Sequence, residues 1–179
     1  MIMLTVMQRK TVFIGSLLLI LMFAGHLWLN PPVVFSAVAR ADKVLVIKNK
    51  RLLLLLKDGE IFRTYKVSLG RQPSGHKTMQ GDRKTPEGKY VLDSRNAKSK
   101  YHLALHISYP NASDILSAQK RGVPPGGDIM IHGLPPAYSR LGEELSFLDW
   151  TDGCIAVTNT EMEEIWQLVA DGTPIEIRP

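Results

Sequence analysis

Cys154 is the single cysteine of a 179-residue chain, and it stands in the run Trp150-Thr151-Asp152-Gly153-Cys154-Ile155-Ala156-Val157. A lone thiol has no intramolecular disulfide partner, which leaves three uses: a nucleophile, an intermolecular disulfide, or a small buried hydrophobe in a turn. A cysteine nucleophile reacts as thiolate, and a free thiol with an ordinary pKa of about 8.5 is mostly protonated at neutral pH, so a base or a positive field must assist it. Histidine is the usual base, and five are present, at 26, 76, 102, 106 and 132. His26 falls in an apolar N-terminal segment and is set aside. His132 is favoured because it ends the apolar run 129–131 and precedes Gly133, which admits a close neighbour; His102 and His106 are the other candidates. Gly153, lacking Cβ, allows a tight turn that aims backbone N–H groups at a developing oxyanion. Trp150 and Tyr109 are candidate groove residues or packing residues. Asp152 is a turn residue or a contact for an amine.

Other chemistries fit the residues poorly. One cysteine with scattered histidines and no His-Glu-x-x-His spacing builds no dedicated metal site. The glycines between 70 and 88 do not form a phosphate-binding Gly-x-x-x-x-Gly-Lys-Ser/Thr loop. No metal, nucleotide or organic cofactor is implied. The net charge of +5 suggests nucleic acid until it is divided: residues 42–179 hold 19 basic and 17 acidic residues, with no basic stripe interleaved with aromatics. Nucleic-acid binding is therefore excluded.

Residues 1–41 are expected to form a signal peptide or an N-terminal membrane anchor. Arg9 and Lys10 precede an uncharged stretch from 11 to 29, close to the roughly 20 residues a helix needs to cross the hydrocarbon core. Cationic residues before the stretch would keep its start in the cytoplasm. Both readings place residues 42–179 in the periplasm or cell envelope, with the membrane touched only through the N-terminal segment.

Residues 42–179 suffice for one domain. Strand patterns occupy 43–48, 52–56, 61–69, 89–92, 102–108, 129–131 and 173–178, with Asp58-Gly59 as a hairpin turn. Thr158 with Glu161 is a capping box for a helix carrying Met162, Ile165, Trp166 and Val169 on one stripe, stopped by Asp171-Gly172. A shorter helix is expected over 113–120, and 135–147 is long enough for a lid.

Taken together, these motifs resemble the L,D-transpeptidase catalytic domain family, the YkuD-like cysteine enzymes of bacterial peptidoglycan. The resemblance covers 43–179 and rests on Val67-Ser68-Leu69-Gly70, on Gly81-Asp82-Arg83-Lys84-Thr85-Pro86-Glu87-Gly88-Lys89-Tyr90, on Ile131-His132-Gly133, and on Gly153-Cys154 placed 22 residues beyond His132. It implies a mostly β fold, a sandwich or cradle of mixed sheets with one or two short helices. It makes Cys154 the nucleophile that forms a thioester with a stem peptide, His132 the group that deprotonates it, and the backbone at Gly153 and Cys154 the oxyanion hole. Thr85-Pro86-Glu87-Gly88 is a structural turn in this reading.

The usual family run is Ser-His-Gly-Cys-x-Arg, whereas this chain has Thr151-Asp152-Gly153-Cys154-Ile155-Ala156. Together with Ile107-Ser108-Tyr109-Pro110-Asn111, that version resembles the YafK-like subgroup. An Asp near the thiol raises its pKa, and loss of the Arg removes a carboxylate clamp. The expected activity is acyl transfer on peptidoglycan stem peptides, with an amine of another stem or of a wall-linked lipoprotein as acceptor. The alternatives are a hydrolase that uses the same site to detach lipoprotein or stem residues, and a non-catalytic cell-wall-binding domain.

Overall fold

The computed structural model describes residues 39–179. The apolar segment 11–29 lies outside the described residues, and among these no helix is long and apolar enough to cross a membrane.

The domain is mostly β, as expected. Eight strands run β1 Lys43–Ile47, β2 Leu52–Lys57, β3 Glu60–Lys66, β4 Gly88–Ser99, β5 His102–Ile107, β6 Met130–His132, β7 Ile155–Ala156 and β8 Thr173–Arg178. They form one sheet in the order β3-β2-β1-β8-β4-β5-β6-β7, antiparallel except for the parallel pairs β1/β8 and β6/β7. The two helices are α1 Ala112–Lys120 and α2 Asn159–Leu168.

Local chemistry accounts for the elements. The leucine run of β2 is buried over three consecutive residues because this strand lies inside the sheet with both faces covered. Its neighbour β3 is the edge, and Glu60, Arg63 and Lys66 charge it. Thr158 caps α2, its side chain accepting from Glu161 N–H while the Glu161 carboxylate takes the Thr158 N–H. Met162, Ile165 and Leu168 of α2 are buried in the core. α1 starts one residue earlier than its pattern suggests, because Asn111 and Asp114 form a second capping box.

Two readings of the sequence need correction. β4 extends to Ser99, well past the apolar stretch 89–92, and its outer half is polar with register shifts near Leu92/Ser94 and Asn96/Ser99. Cross-strand bonds to β5 hold that half without an apolar alternation to announce it. Residues 48–50 turn in a 3-10 helix, with Arg51 left-handed at φ 53°, so β1 and β2 make a hairpin. The segment 135–147 contains two 3-10 turns, Pro136–Tyr138 and Gly142–Phe147.

The sheet curls until its ends meet. Just beyond β3, Ser68 exchanges both backbone hydrogen bonds with Ala156 of β7, each 2.9 Å. Gly70 and Thr151 form a further bridge beside it. Ala156 is two residues past Cys154, so the nucleophile candidate stands at the seam where the curl closes.

Candidate active site

The pairing of β6 with β7 places the two principal residues. Ile131 lies opposite Ile155 and His132 opposite Ala156, in parallel register. Alternation then puts Met130, His132, Cys154 and Ala156 on one face, with Ile131 and Ile155 buried on the other. His132 and Cys154 line a common cleft of about 490 Å³, walled by the β4–β5 hairpin tip through Lys98, Lys100 and Tyr101.

His132 is 3% exposed. Its Nδ1–H donates to the Gly133 carbonyl at 2.7 Å, which leaves Nε2 as the basic nitrogen. Burial, partly offset by that hydrogen bond, lowers its pKa from the ordinary 6.5, so the ring is neutral at neutral pH. Tyr101 stacks on it with centroids 4.5 Å apart, and Trp150 meets it edge-on at 5.8 Å. From below, Asn159 at the start of α2 accepts the Leu134 N–H at 2.7 Å and packs so close to Gly133 that a Cβ there would sit 2.5 Å from the Asn159 oxygen. Glycine is required for close approach, and it fixes the strand end that carries His132.

The thiol of Cys154 donates to the Asp128 carbonyl at 3.5 Å. Burial raises its pKa; the Met130 N–H opposes the rise, the charges of Asp128 and Asp152 add to it, and Lys77 counters it. The resting site therefore holds a neutral thiol beside a neutral imidazole. On its other side Cys154 borders a second cleft, also about 490 Å³, lined by Lys77, Arg83, Gly126, Gly127 and Asp152.

The turn that presents the thiol is built by Thr151. Its buried hydroxyl donates to the Cys154 carbonyl at 2.7 Å and accepts the Gly153 N–H at 3.1 Å. The Gly153 N–H, expected to face an oxyanion, is bonded here to Thr151, and Gly153 also contributes shape. It adopts φ +135°, and a Cβ would lie 2.7 Å from the Lys84 carbonyl oxygen. Gly70 is packed as tightly against the Arg83 carbonyl and the Gly153 Cα. The run 81–90 thus backs the nucleophile turn.

Two buried lysines shape that run. Lys48 donates to the carbonyls of Gly75 and Thr85 and to Glu87, at 2.7, 2.9 and 2.8 Å. Lys77 meets Asp82 at 2.8 Å, and the other Asp82 oxygen accepts the N–H of Thr78 and of Met79. Burial alone would raise the Asp82 pKa, but these bonds win and lower it.

The remaining candidates separate clearly. His102 and His106 bond Glu163 and Asp93, at 2.8 and 2.6 Å, and line neither cleft at the thiol. Asp152 is exposed and pairs with Arg71 at 2.7 Å. Trp150 lies beside His132 and lines a third groove rather than the thiol clefts. Tyr109 is not brought to the site: it is buried in the core, donates to the Pro125 carbonyl at 3.0 Å and packs edge-on to Tyr90. Among the described residues no His/Cys/Asp/Glu group is arranged to hold a metal ion.

A family model for the L,D-transpeptidase catalytic domain, YkuD, matches residues 41–177. The chain belongs to the YkuD family of L,D-transpeptidase catalytic domains. Among curated relatives of this YkuD domain, YafK of Escherichia coli (strain K12) is 33% identical over 132 residues, which is 70% of this chain and 46% of YafK. Among solved structures, the helical cell shape determining protein Pgp2 from Campylobacter jejuni is 31% identical with a TM-score of 0.58, covering 75% of this chain and 46% of Pgp2. Bd1075 of Bdellovibrio bacteriovorus is 27% identical with a TM-score of 0.53, over 78% of this chain and 48% of Bd1075. The chain thus spans about half the length of these relatives.

Sequence reasoning missed Thr151, Tyr101, Lys48 and the Lys77–Asp82 pair. Thr151 had a local signal, a hydroxyl three residues before the thiol at the family's Ser position. Tyr101 and Lys48 act across the fold and have none, while Lys77 and Asp82 pair within one loop, five residues apart, without a spacing that announces it.

Proposed function

We propose that this YkuD domain is a cysteine acyltransferase of the cell envelope that acts on peptidoglycan stem peptides. The observation that carries the reading is the shared face and cleft of Cys154 and His132, with the His132 ring held neutral and its Nε2 left basic. Substrate binding turns the thiol from the Asp128 carbonyl toward Nε2. His132 takes the proton as Sγ attacks the carbonyl carbon, and the oxyanion is held by the Cys154 N–H, since Thr151 occupies that of Gly153. Collapse breaks the C–N bond, the proton on Nε2 passes to the departing amine, and the stem remains as a thioester. An incoming amine or water, deprotonated by the same nitrogen, attacks the thioester and frees the thiol.

Two clefts meeting at Cys154 suit an acyl donor on one side and an acceptor on the other. The cation lost at Ala156, which is buried at the seam, is supplied from elsewhere by Lys98 and Lys100 in one cleft and by Lys77 and Arg83 in the other. Hydrolysis is the second reading. It is favoured by the partial exposure of Cys154, which borders two surface clefts where water competes with an amine for the thioester. A wall-linked lipoprotein as donor or acceptor, anchoring through residues 11–29, and a role in cell shape like that named for Pgp2 belong to this proposal.

The test incubates the full chain with a disaccharide tetrapeptide and with a lipoprotein-linked muropeptide and follows products by mass spectrometry. A cross-linked dimer absent in Cys154→Ala establishes transpeptidation. Release without dimer, again dependent on Cys154, establishes hydrolysis. Products that persist in Cys154→Ala, or wild-type binding with no turnover, would sink the assignment and leave a wall-binding module.

A further inference from the structure

Beyond the thiol cleft lies a groove that the chemistry above does not use. It measures about 510 Å³ and is lined by Tyr101, Tyr138, Trp150, Pro135 and Leu145, with Arg71 and Lys100 at its rim. That volume falls within the roughly 300–1,000 Å³ typical of small-molecule sites. We infer that this groove is a saccharide subsite, seating an N-acetylated amino-sugar ring of the glycan from which the stem peptide hangs. The inference rests on the stem-peptide reading and extends it from the peptide to its sugar.

Position is the first argument. Tyr101 and Lys100 line both the thiol cleft and the groove, so the two are continuous. The rings of His132, Tyr101 and Trp150 cluster, with Tyr101 4.5 Å from His132 and Trp150 5.8 and 6.1 Å from the two, so the groove that Tyr101 and Trp150 line borders the base directly. Three extended residues span about 10 Å at roughly 3.3–3.6 Å each. A stem whose third residue is at Cys154 therefore reaches its sugar in this groove.

Chemistry is the second argument. A pyranose presents a face of C–H bonds, which suits the negative face of an aromatic ring, and a periphery of hydroxyl and acetamido oxygens. The charged groups at the rim of the groove are both donors, Lys100 and Arg71, the latter also paired with Asp152. The Trp150 Nε1–H is buried and meets no acceptor among the described residues, a cost that an oxygen-rich ligand relieves after a small ring rotation. A second peptide strand would bring amide N–H groups into a site with few acceptors. Lys98 and Lys100 also line the path for a stem that carries free carboxylates.

The test uses full-length Cys154→Ala, which binds without turnover, titrated by calorimetry with a disaccharide tetrapeptide and with the free tetrapeptide. The sugar-bearing ligand should bind on the order of tenfold more tightly, about what one aromatic contact provides. Adding Tyr138→Ala, at a side chain 49% exposed and outside the catalytic pair, should erase that difference, while Tyr138→Phe keeps it. Equal binding of the two ligands, no binding of the disaccharide tetrapeptide, or a preference that survives Tyr138→Ala would overturn the subsite. A sugar preference intact in an enzyme without Cys154-dependent turnover would instead count against the catalytic reading alone.

Discussion

Thr151→Val removes one hydroxyl from the nucleophile turn and little else. Valine fills the space of threonine, but the Cys154 carbonyl loses its donor at 2.7 Å and the Gly153 N–H its acceptor at 3.1 Å. Gly153 is buried, so its N–H bears most of the roughly 1–3 kcal/mol cost of an unsatisfied group, and the half-buried Cys154 carbonyl bears less. The sum is about 2–4 kcal/mol, within the roughly 5–15 kcal/mol of a typical domain, so the variant should fold with a lowered Tm. The larger effect is on rate. Freed from its tether, the turn lets Sγ drift from the line between Nε2 and the carbonyl carbon, and misplacement near 1 Å costs on the order of 100-fold. Full-length wild type, Thr151→Val and Thr151→Ser should be compared by denaturant unfolding and by turnover of the disaccharide tetrapeptide. The valine variant should lose kcat by about that factor with KM little changed, and serine, which keeps the hydroxyl, should restore it to within a few-fold. Wild-type kcat in the valine variant, or a serine variant no better than valine, would refute the positioning role.

Three further outcomes are expected. Gly153→Ala forces a Cβ at φ +135° to 2.7 Å from the Lys84 carbonyl oxygen, so it should cost more than about 2 kcal/mol in urea unfolding; a loss under 1 kcal/mol would show that the turn relaxes freely. Because burial lowers the His132 pKa below 6.5, activity that needs the neutral ring should persist below pH 6.5 and vanish only as pH falls through the depressed value, and an acid limb of kcat/KM at or above 6.5 would contradict this. The same shift means that the unfolded chain binds this proton first. Stability present above pH 6.5 should decline as pH falls toward the folded pKa, and His132→Gln should flatten that decline in Tm.

The parts of this site that the sequence announces are those whose chemistry is local. Cys154 declares itself by being alone, Thr158 and Glu161 by capping α2, and Asp58-Gly59 by its turn. His132 was favoured over His102 and His106 as the end of an apolar strand, and the register adds a reason the sequence lacks: His132 shares a face and a cleft with Cys154, while the other two bond carboxylates of Glu163 and Asp93. Tyr109 was open between a groove residue and a packing residue, and nothing in its flanks tells that its hydroxyl is anchored to Pro125 in the core. The polar half of β4 was illegible for a different reason. Its residues are exposed and its pairing is interrupted, so no alternation is imposed on them, yet its tip supplies Lys98, Lys100 and Tyr101 to the cleft.

The run 81–90 shows how a strong sequence signal can act without touching substrate through most of its length. Within it Thr85-Pro86-Glu87-Gly88 reads as a structural turn, and the fold shows what that turn supports. Asp82 gathers Lys77 and the N–H groups of Thr78, Met79 and Lys84, Lys48 fixes the carbonyl of Thr85, and the carbonyls of Arg83 and Lys84 then press on Gly70 and Gly153. On the opposite side Ser68 and Ala156 close the sheet. The thiol is therefore placed by packing from behind and by a strand seam beside it, neither of which uses the side chains of Asp152 or Ala156.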